Sequence, residues 1–322
     1  MRHIRMNFFR TLGLVLLLSC GSALARDAAP VASRPVPLLW KACDADNCVY
    51  LLGSFHVLKA SDYPLSSDVD AALAKSAKVV FEISPTEMQD KNAAAMALFK
   101  SGVRMDGTML DNDLTPKQQA KFAAWTKKHE AELAKSGLSP EMLQRFKPWF
   151  VAIMITQLEY QAAGMSPEFG LDDHMSKAAS DSGKQTLGLE TIAEQVQFLS
   201  GLTQKDQVQM LEESLDDDGS TAGEIETLHK AWRAGDVDTL WKDMGVKMRD
   251  HYPDAYRAID VDRNAHWLPR LASMIDTPGE KDTLVVVGSL HLLGPDGLVE
   301  GLKARGYKVE RVCSACAVKA TR

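Results

Sequence analysis

The sequence has no long uninterrupted apolar run after its first 25 residues. A membrane-spanning helix requires about 18 or more such residues, and nothing beyond position 25 approaches that length. The apolar stretch LGLVLLLS inside the first 25 residues is also too short to span a bilayer. The sequence therefore predicts a protein that is not an integral membrane protein.

The first 25 residues have the pattern of a signal peptide. The basic segment MRHIRMNFFR precedes the short apolar stretch, and the small residues ALA at 23–25 form a cleavage pattern. We therefore predict cleavage before Arg26 and export to the periplasm or the medium. A lipid anchor at Cys20 is the alternative, because LLSC loosely resembles a lipoprotein signal, although Leu18 fits that signal poorly.

The predicted mature chain has no excess of basic residues. Cleavage removes three of the 37 Lys and Arg residues and none of the 43 Asp and Glu residues, which changes the formal charge from −6 to −9. A protein that binds nucleic acid or an anionic membrane needs a basic face. We therefore expect no nucleic-acid partner.

Cysteines are also few, and four remain after the predicted leader. Cys43 and Cys48 bracket the turn-rich tetrapeptide DADN, and Cys313 and Cys316 close the last strand-like segment. In an oxidising compartment disulfides are the expected state, and we favour these two local pairings. A zinc site built from all four cysteines is the alternative.

The motifs of several common enzyme classes are missing. The chain has no Gly-x-Ser-x-Gly elbow, no Walker loop and no dinucleotide glycine fingerprint. The segment HEAEL begins like a zinc-peptidase helix at His129 but has Leu133 where the second histidine is needed. These absences argue against the usual serine hydrolases, NTPases and NAD enzymes.

Short strand-like runs alternate with helical stretches along the chain. Several are nearly continuous runs of Val and Leu, which is typical of strands covered on both faces. The stretch from about 86 to 180 is almost wholly helical and predicts a helical insertion or lid. We expect an α/β fold in one domain, 26–322, with a central mostly parallel β-sheet flanked by helices. The predicted strands are 37–43 and 48–54, which form a hairpin, and 78–84, 184–190, 282–289 and 307–313.

One motif occurs near both ends of the chain. YLLGSFHVL and VVVGSLHLL each place a histidine, His56 or His291, three residues after a glycine that follows an apolar run. Glycine at a strand end allows a sharp turn or a close approach to a ligand. A single such histidine is usually a hydrogen-bonded loop residue, but the repeated context indicates a shared role.

Two glutamates occupy comparable positions at strand ends. Glu82 lies near the end of the run 78–84, and Glu190 ends the run 184–190. If these strands are parallel, both glutamates and both histidines meet at the sheet edge where open α/β folds bind ligands. The alternatives are an exposed edge position for Glu82 and a stabilising contact of Glu190 with the dipole of the next helix.

The segment VDRNAHW, 261–267, places Arg263 next to Asn264 in a helical region. A guanidinium here is suited to bind a carboxylate, a phosphate or a developing oxyanion. The alternative is a surface arginine beside a core tryptophan. A second polar segment, FGLDDHMSKAA, carries Asp172 and Asp173 at a helix start, where we interpret them as helix caps.

These segments together resemble the TraB/GumN family over most of the predicted mature chain. The resemblance rests on YLLGSFHVL, VVFEISP, GLDDHMSKAASDSGKQTLGLET, RNAHW and VVVGSLHLLGPDGLVEGLKARGYKVERV, in that order. It implies an α/β domain related to erythromycin esterase and ChaN-like proteins. In the Tiki branch of this family, paired His and Glu residues serve a metal-dependent endopeptidase.

What the resemblance implies for this chain is a site at the two Gly-x-x-His motifs. His56 and His291 would be metal ligands, Glu82 and Glu190 a ligand and a general base, and Arg263 an electrostatic stabiliser beside Asn264. We therefore predict an exported metal-dependent hydrolase, most simply a peptidase acting on a peptide or protein, with Mn²⁺, Co²⁺ or Zn²⁺ bound. The alternatives are a metal-free hydrolase of the esterase type, with a histidine as general base, and a non-catalytic binder of peptide, haem or glycan.

Overall fold

The computed structural model describes residues 34–89, 91–215 and 220–317. The predicted signal peptide and the alternative lipidation site at Cys20 lie outside the described residues. Among the described residues, no helix has the length and apolar character needed to cross a membrane.

The strand-like runs of the sequence form one six-stranded sheet, which confirms the predicted α/β fold. Their order across the sheet is β4-β3-β5-β2-β1-β6. Neighbours among β2, β5, β3 and β4 are parallel, whereas β1 is antiparallel to both β2 and β6. The strands are β1 Leu39–Cys43, β2 Cys48–Ser54, β3 Lys78–Ile83, β4 Gln185–Glu190, β5 Thr283–Gly288 and β6 Lys308–Arg311.

Helices account for most of the remaining described chain, and α2 to α8 occupy the predicted helical stretch between β3 and β4. The role of that stretch as a lid stays a prediction. Two π-helical turns, Trp241–Val246 and Arg257–Val261, precede α13 and α15. In chain order, α1 to α17 are Ser67–Lys75, Pro85–Gln89, Lys91–Gly102, Pro116–Lys128, Glu130–Lys135, Pro140–Leu143, Pro148–Ala162, Leu171–Asp181, Ile192–Ser200, Gln204–Ser214, Ser220–Ala234, Val237–Leu240, Lys247–His251, Pro253–Tyr256, Asp262–Asp276, Leu298–Ala304 and Ser314–Ala317.

The centre of the sheet is buried on both faces, as the runs of Val and Leu predict. Val285, Val286 and Val287 are successive residues of β5, point alternately to the two faces, and are all fully buried. Each buried side chain of this size contributes about 1.5–3 kcal/mol of hydrophobic stabilisation. Trp232 of α11 is also fully buried, and its indole N–H donates to the carbonyl of Gly53 at 3.1 Å. This bond fixes α11 against the end of β2.

Both favoured disulfides are formed. Cys43 and Cys48 lie opposite each other in the register of the β1–β2 hairpin, so their bond closes the DADN turn. Cys313 and Cys316 join the segment after β6 to α17. With all four cysteines in disulfides, the alternative zinc site has no thiolate ligands.

Candidate active site

The four predicted residues lie at the carboxyl ends of four adjacent parallel strands. They are His56, Glu82, Glu190 and His291. Ser54 of β2 is in register with Gly288 of β5, so His56 and His291 leave the sheet at the same edge. On β3 and β4, Ile83 is in register with Glu190, which brings Glu82 to that edge as well. The parallel order of these strands is therefore what assembles the site.

The two Gly-Ser pairs lie against each other where β2 and β5 end. A Cβ on Gly53 would lie 2.9 Å from Oγ of Ser289, so only glycine fits there without a shift. That hydroxyl donates to the carbonyl of Ser54 at 3.0 Å and ties the two strand ends together. The repeated Gly-Ser thus provides close packing of the backbone from which the two histidines extend.

Gly288 leaves open a small space between two of the candidate residues, which we call the central gap. A Cβ on Gly288 would lie 3.3 Å from Oε1 of Glu82 and 3.6 Å from Nε2 of His56. The central gap is therefore bounded by a carboxylate oxygen, an imidazole nitrogen, the backbone of Gly288 and Cδ2 of His291, which would lie 3.5 Å from that Cβ. A small reacting group placed there would contact both side chains.

Arg263 of α15 holds the acidic residues of the site. Its Nε donates to Glu190 Oε2 at 3.1 Å, and its Nη2 donates to Glu190 Oε1 at 2.5 Å and to Glu82 Oε2 at 2.6 Å. Its Nη1 donates to the carbonyl of Ile259 at 3.1 Å and to Nε2 of His291 at 3.0 Å. A guanidinium has five N–H donors, and these five bonds use all of them.

The indole of Trp267 lies one helical turn after Arg263 and supports its guanidinium. The Arg263 Cζ lies 4.7 Å from the centre of the Trp267 ring, which is a favourable cation–π distance. The Arg263 side chain is itself only 8% exposed. The sequence interpretation of a core tryptophan is therefore correct, whereas the arginine beside it is buried and not on the surface.

The hydrogen bonds of His291 define its tautomer. Arg263 can only donate, so Nε2 of His291 accepts and carries no proton. Its Nδ1 lies 2.8 Å from Oδ1 of Asn264 and 3.0 Å from Oδ1 of Asp260, both of which are acceptors. His291 is therefore a neutral imidazole with its proton on Nδ1. Asn264 also donates to the carbonyl of Asp296, so it orients His291 and does not face the central gap.

Asp260 is a site residue that the sequence analysis missed. It lies in the π-helical turn before α15, is fully buried, and contacts the site through Nδ1 of His291. Burial raises the pKa of this carboxyl. A lone aspartate within a helical pattern gives no local signal of such a position. The signal available in the sequence was its spacing, one helical turn before the Arg263–Asn264 pair.

His56 is held by Asp172, whose position at a helix start predicts a helix cap instead. Nδ1 of His56 donates to Oδ2 of Asp172 at 2.7 Å. The start of α8 is pressed against the His56 segment, because Leu171 donates its backbone N–H to the carbonyl of Phe55 at 3.0 Å. Gly170 allows this contact, since a Cβ there would collide with the carbonyl of His56.

The ionisation of the site follows from these contacts. Burial disfavours the charged ring of His56, but the negative charge of Asp172, its hydrogen bond and the charge of Glu82 outweigh burial and raise the pKa of His56 to about 9. Burial also disfavours the charged form of Glu82, yet the positive charges of Arg263 and His56 and the backbone N–H of Gly288 hold its pKa well below the usual range. Burial raises the pKa of Glu190 despite the opposing charge of Arg263. At neutral pH the central gap therefore lies between an imidazolium and a carboxylate.

A mostly apolar cavity of about 180 Å³ opens beside the central gap. His56, Glu82, Arg263 and Gly288 lie along its wall. Most of the other lining side chains are aliphatic or aromatic. The charged groups of the site therefore face a cavity that favours apolar ligands.

The predicted metal ligands do not fit a divalent ion in this arrangement. The guanidinium of Arg263 donates hydrogen bonds to Glu82, Glu190 and His291, which are three of the four predicted ligands. Within residues 34–89, 91–215 and 220–317, no group of three or more His, Cys, Asp or Glu side chains is arranged to hold a metal ion. A bound metal stays a prediction of the sequence, and a metal held by all four predicted ligands would require Arg263 to leave its position.

Comparison with known proteins agrees with the resemblance seen in the sequence. The sequence model of the TraB/PrgY/gumN family matches residues 38–311, which include every site residue described above. A relative from Escherichia coli (strain K12), "Uncharacterized protein YbaP", is 24% identical over 168 residues, and the protein of the same name from Shigella flexneri matches equally. The alignment covers 52% of this chain and 60% of each relative's length. No solved structure matches the chain significantly.

Proposed function

The chain belongs to the TraB/PrgY/gumN family, and we propose that it is a hydrolase of carboxylic amide or ester bonds in which His56 and Glu82 move the protons. The observation that supports this most strongly is the central gap. An imidazolium, oriented by Asp172, and an ionised carboxylate face the same small space beside an apolar cavity. A proton donor and a proton acceptor on either side of a reacting group is the arrangement that general acid–base hydrolysis requires.

In the proposed reaction Glu82 accepts the proton of the attacking water. Its Oε2 receives hydrogen bonds from Arg263 and from Gln195 Nε2 at 3.0 Å, and its Oε1 receives the backbone N–H of Gly288 at 2.6 Å. A carboxylate offers about four acceptor positions, so Oε1 retains one toward the central gap. A water bound there loses a proton to Glu82 as its oxygen attacks the carbonyl carbon.

In the proposed reaction His56 protonates the leaving group. With a pKa of about 9 it carries two protons at neutral pH, one bound to Asp172 and one on Nε2 beside the gap. As the bond to the leaving nitrogen or oxygen breaks, that atom takes the Nε2 proton together with the bonding electrons. A proton then passes from Glu82 to His56 through water, so the net change is the addition of one water across the bond.

Arg263 acts indirectly, because its positive charge stabilises the ionised carboxylate of Glu82. Because all five of its donors bind protein groups, it has no N–H for a substrate oxyanion. Its positive charge keeps Glu82 ionised in a buried site. Gln195 and Asn264 act in the same indirect way, by fixing Glu82 and His291. Export also belongs to the proposal, supported by the predicted leader and by the two disulfides.

The test is hydrolysis by the purified mature protein of a peptide library and of p-nitrophenyl esters, with and without chelator. We expect turnover that EDTA leaves unchanged and that falls by about 10²–10⁴-fold in His56→Ala. His251→Ala, which alters an exposed histidine, is the matched control and should keep full activity.

Two other results would replace this proposal. If EDTA abolishes turnover and Mn²⁺, Co²⁺ or Zn²⁺ restores it, the metal-dependent peptidase predicted from the sequence is correct. If no peptide or ester is cleaved under any condition, the protein is not a hydrolase of these bonds, and a binding function is favoured.

A further inference from the structure

A large part of the wall of the cavity is built from aliphatic and aromatic side chains of several elements. Phe81 comes from β3, Leu98 from α3, Tyr160 from α7, and Val196 and Leu199 from α9. All five residues are buried by the rest of the protein. A wall of this kind has little to offer a sugar or another highly hydroxylated ligand, because it would leave many hydroxyl groups without partners.

The size of the cavity limits what it can hold. An apolar protein cavity of about 150 Å³ accommodates one benzene molecule. Sites for drug-sized ligands measure about 300–1,000 Å³. At about 180 Å³, this cavity suits one group of the size of a leucine or phenylalanine side chain, and it is too small for a macrocycle.

The charges around the cavity also select against one class of ligand. Glu82, Asp172, Asp173 and Asp260 line it together with His56 and Arg263, so carboxyl groups outnumber cationic groups. Arg263 has no N–H left for a ligand carboxylate, and Asp172 already accepts from His56. An anionic group entering the cavity would therefore meet several carboxyl groups, and among the lining residues only Nε2 of His56 would offer it a cationic donor.

We propose that this cavity is the specificity pocket of the site and binds one uncharged apolar group, next to the bond that is cleaved. Occupants of this chemistry are the side chain of leucine or phenylalanine in a peptide and a short acyl chain in an ester. The position of the cleaved bond rests on the proposed hydrolase function. The binding of the apolar group does not, because it depends only on the shape and lining of the cavity.

Hydrolysis of a graded ester series tests the specificity. Each methylene buried in the cavity should raise kcat/KM about fourfold from p-nitrophenyl acetate to the hexanoate, after which the increase should stop as the cavity fills. The p-nitrophenyl monoester of adipic acid, which ends in a carboxylate, should be hydrolysed more slowly than the hexanoate. A matching peptide series with Ala, Leu or Phe at each position shows whether the natural group is a side chain or an acyl chain.

Two substitutions in α3 distinguish the effect of filling the cavity from the effect of adding a phenyl group elsewhere on the surface. Ala95 lines the cavity but is exposed, so Ala95→Phe should fill part of the space without disturbing the core. Met96 is the next residue, is 52% exposed and does not line the cavity, which makes Met96→Phe the matched control. Ala95→Phe should remove the preference for the hexanoate over the acetate, and Met96→Phe should keep it.

Direct binding of toluene, measured by isothermal titration calorimetry, tests the pocket independently of catalysis. We expect binding to the wild type, to His56→Ala and to Met96→Phe, and loss of binding in Ala95→Phe. If toluene binds in this way but nothing is hydrolysed, the pocket stands and the proposed hydrolase function fails. If esters are hydrolysed at a rate independent of chain length, or if toluene binding is absent or unaffected by Ala95→Phe, the specificity pocket is refuted and the hydrolase function stands on its own assay.

Discussion

Nη1 of Arg263 donates a hydrogen bond to Nε2 of His291 at 3.0 Å. One ring nitrogen of His291, a residue that the sequence predicts as a metal ligand, is therefore already bound to a cationic group. A divalent ion could reach Nε2 only if Arg263 moved, and that movement would also remove the strongest donors of Glu82 and Glu190. Metal binding at Nε2 of His291 and the observed Arg263 contact to this atom are thus mutually exclusive.

Removing Arg263 should strongly destabilise the protein. In Arg263→Met, Glu82 and Glu190 remain buried without their cationic partner, and breaking a buried ion pair from one side costs about 3–5 kcal/mol. The free energy of unfolding in urea measures this loss. Arg305→Met alters an exposed arginine and should change stability by less than about 0.5 kcal/mol.

A double variant shows whether the loss comes from the uncompensated charge. Adding Glu190→Gln to Arg263→Met should recover part of the stability, because one buried carboxylate is neutralised. A double variant that is less stable than Arg263→Met alone would contradict this explanation.

The Asp172–His56 hydrogen bond should set the alkaline limit of activity. As a general acid with a pKa of about 9, His56 should keep kcat/KM constant through neutral pH and lose it above about pH 9. In Asp172→Asn the main partner that raises this pKa is gone, so the alkaline limit should move toward or below the ordinary histidine value of about 6.5. The pH profile of kcat/KM measures the shift, and Asp181→Asn, at the exposed end of α8, is the control. An activity that rises toward pH 9 would instead assign His56 as a general base.

Stability should depend on pH through the same histidine. The folded-state pKa of His56, about 9, lies above its unfolded value of about 6.5, so the folded state binds more protons between these values. The resulting stabilisation is complete below about pH 6.5, amounts to at most ~3 kcal/mol, and is lost as the pH rises through 9. Urea unfolding across this range should show the decline in the wild type, and Asp172→Asn should have a flatter curve.

Glu82 should have the opposite effect at acidic pH. Its pKa in the folded state lies below the unfolded value, so its contribution is present above about pH 4.5 and is lost as the pH falls toward the folded-state pKa. A Glu82→Gln variant should therefore lose less stability than the wild type on acidification. Equal acid sensitivity of the two proteins would argue that Glu82 is not ionised in the folded state.

Gly288 should be required for activity more than for folding. In Gly288→Ala the new Cβ enters the central gap, where it contacts Oε1 of Glu82 and Nε2 of His56, so it should exclude the attacking water. We expect at least a tenfold loss of kcat/KM with a thermal transition close to that of the wild type. Gly223→Ala is the matched control, because a Cβ there meets no atom within 4 Å and α11 should gain up to ~1 kcal/mol.

The strands of the sheet could be predicted from the sequence because the signals for strands and turns are local. The runs of Val and Leu, the DADN turn and the two Gly-Ser pairs each depend on a few neighbouring residues. The convergence of His56, Glu82, Glu190 and His291 followed from the parallel order of the strands. Such local patterns do not predict which side chains form hydrogen bonds with these four residues. Asp172 at a helix start has the local appearance of a cap, and its contact with His56 spans 116 residues.

The role of Arg263 could not be predicted from the local sequence either. An exposed arginine beside a ligand site would bind the ligand, and a buried one surrounded by carboxylates binds the protein. Its sequence context is the same in both cases, because the deciding contacts come from β3, β4 and the segment after β5. Only the packing of α15 against the sheet distinguishes them.

The pairing of β2 with β5 has a consequence for how activity is acquired. These strands are adjacent in the sheet but more than 200 residues apart in the chain, and the hydroxyl of Ser289 reaches the carbonyl of Ser54 only when they have joined. Contacts of such long sequence separation form late, because the entropy of closing the loop is lost before the contact is gained. During refolding from urea, helical content should therefore return before the ability to turn over substrate. A chain truncated before β5 would lack both this contact and His291, so it should be inactive.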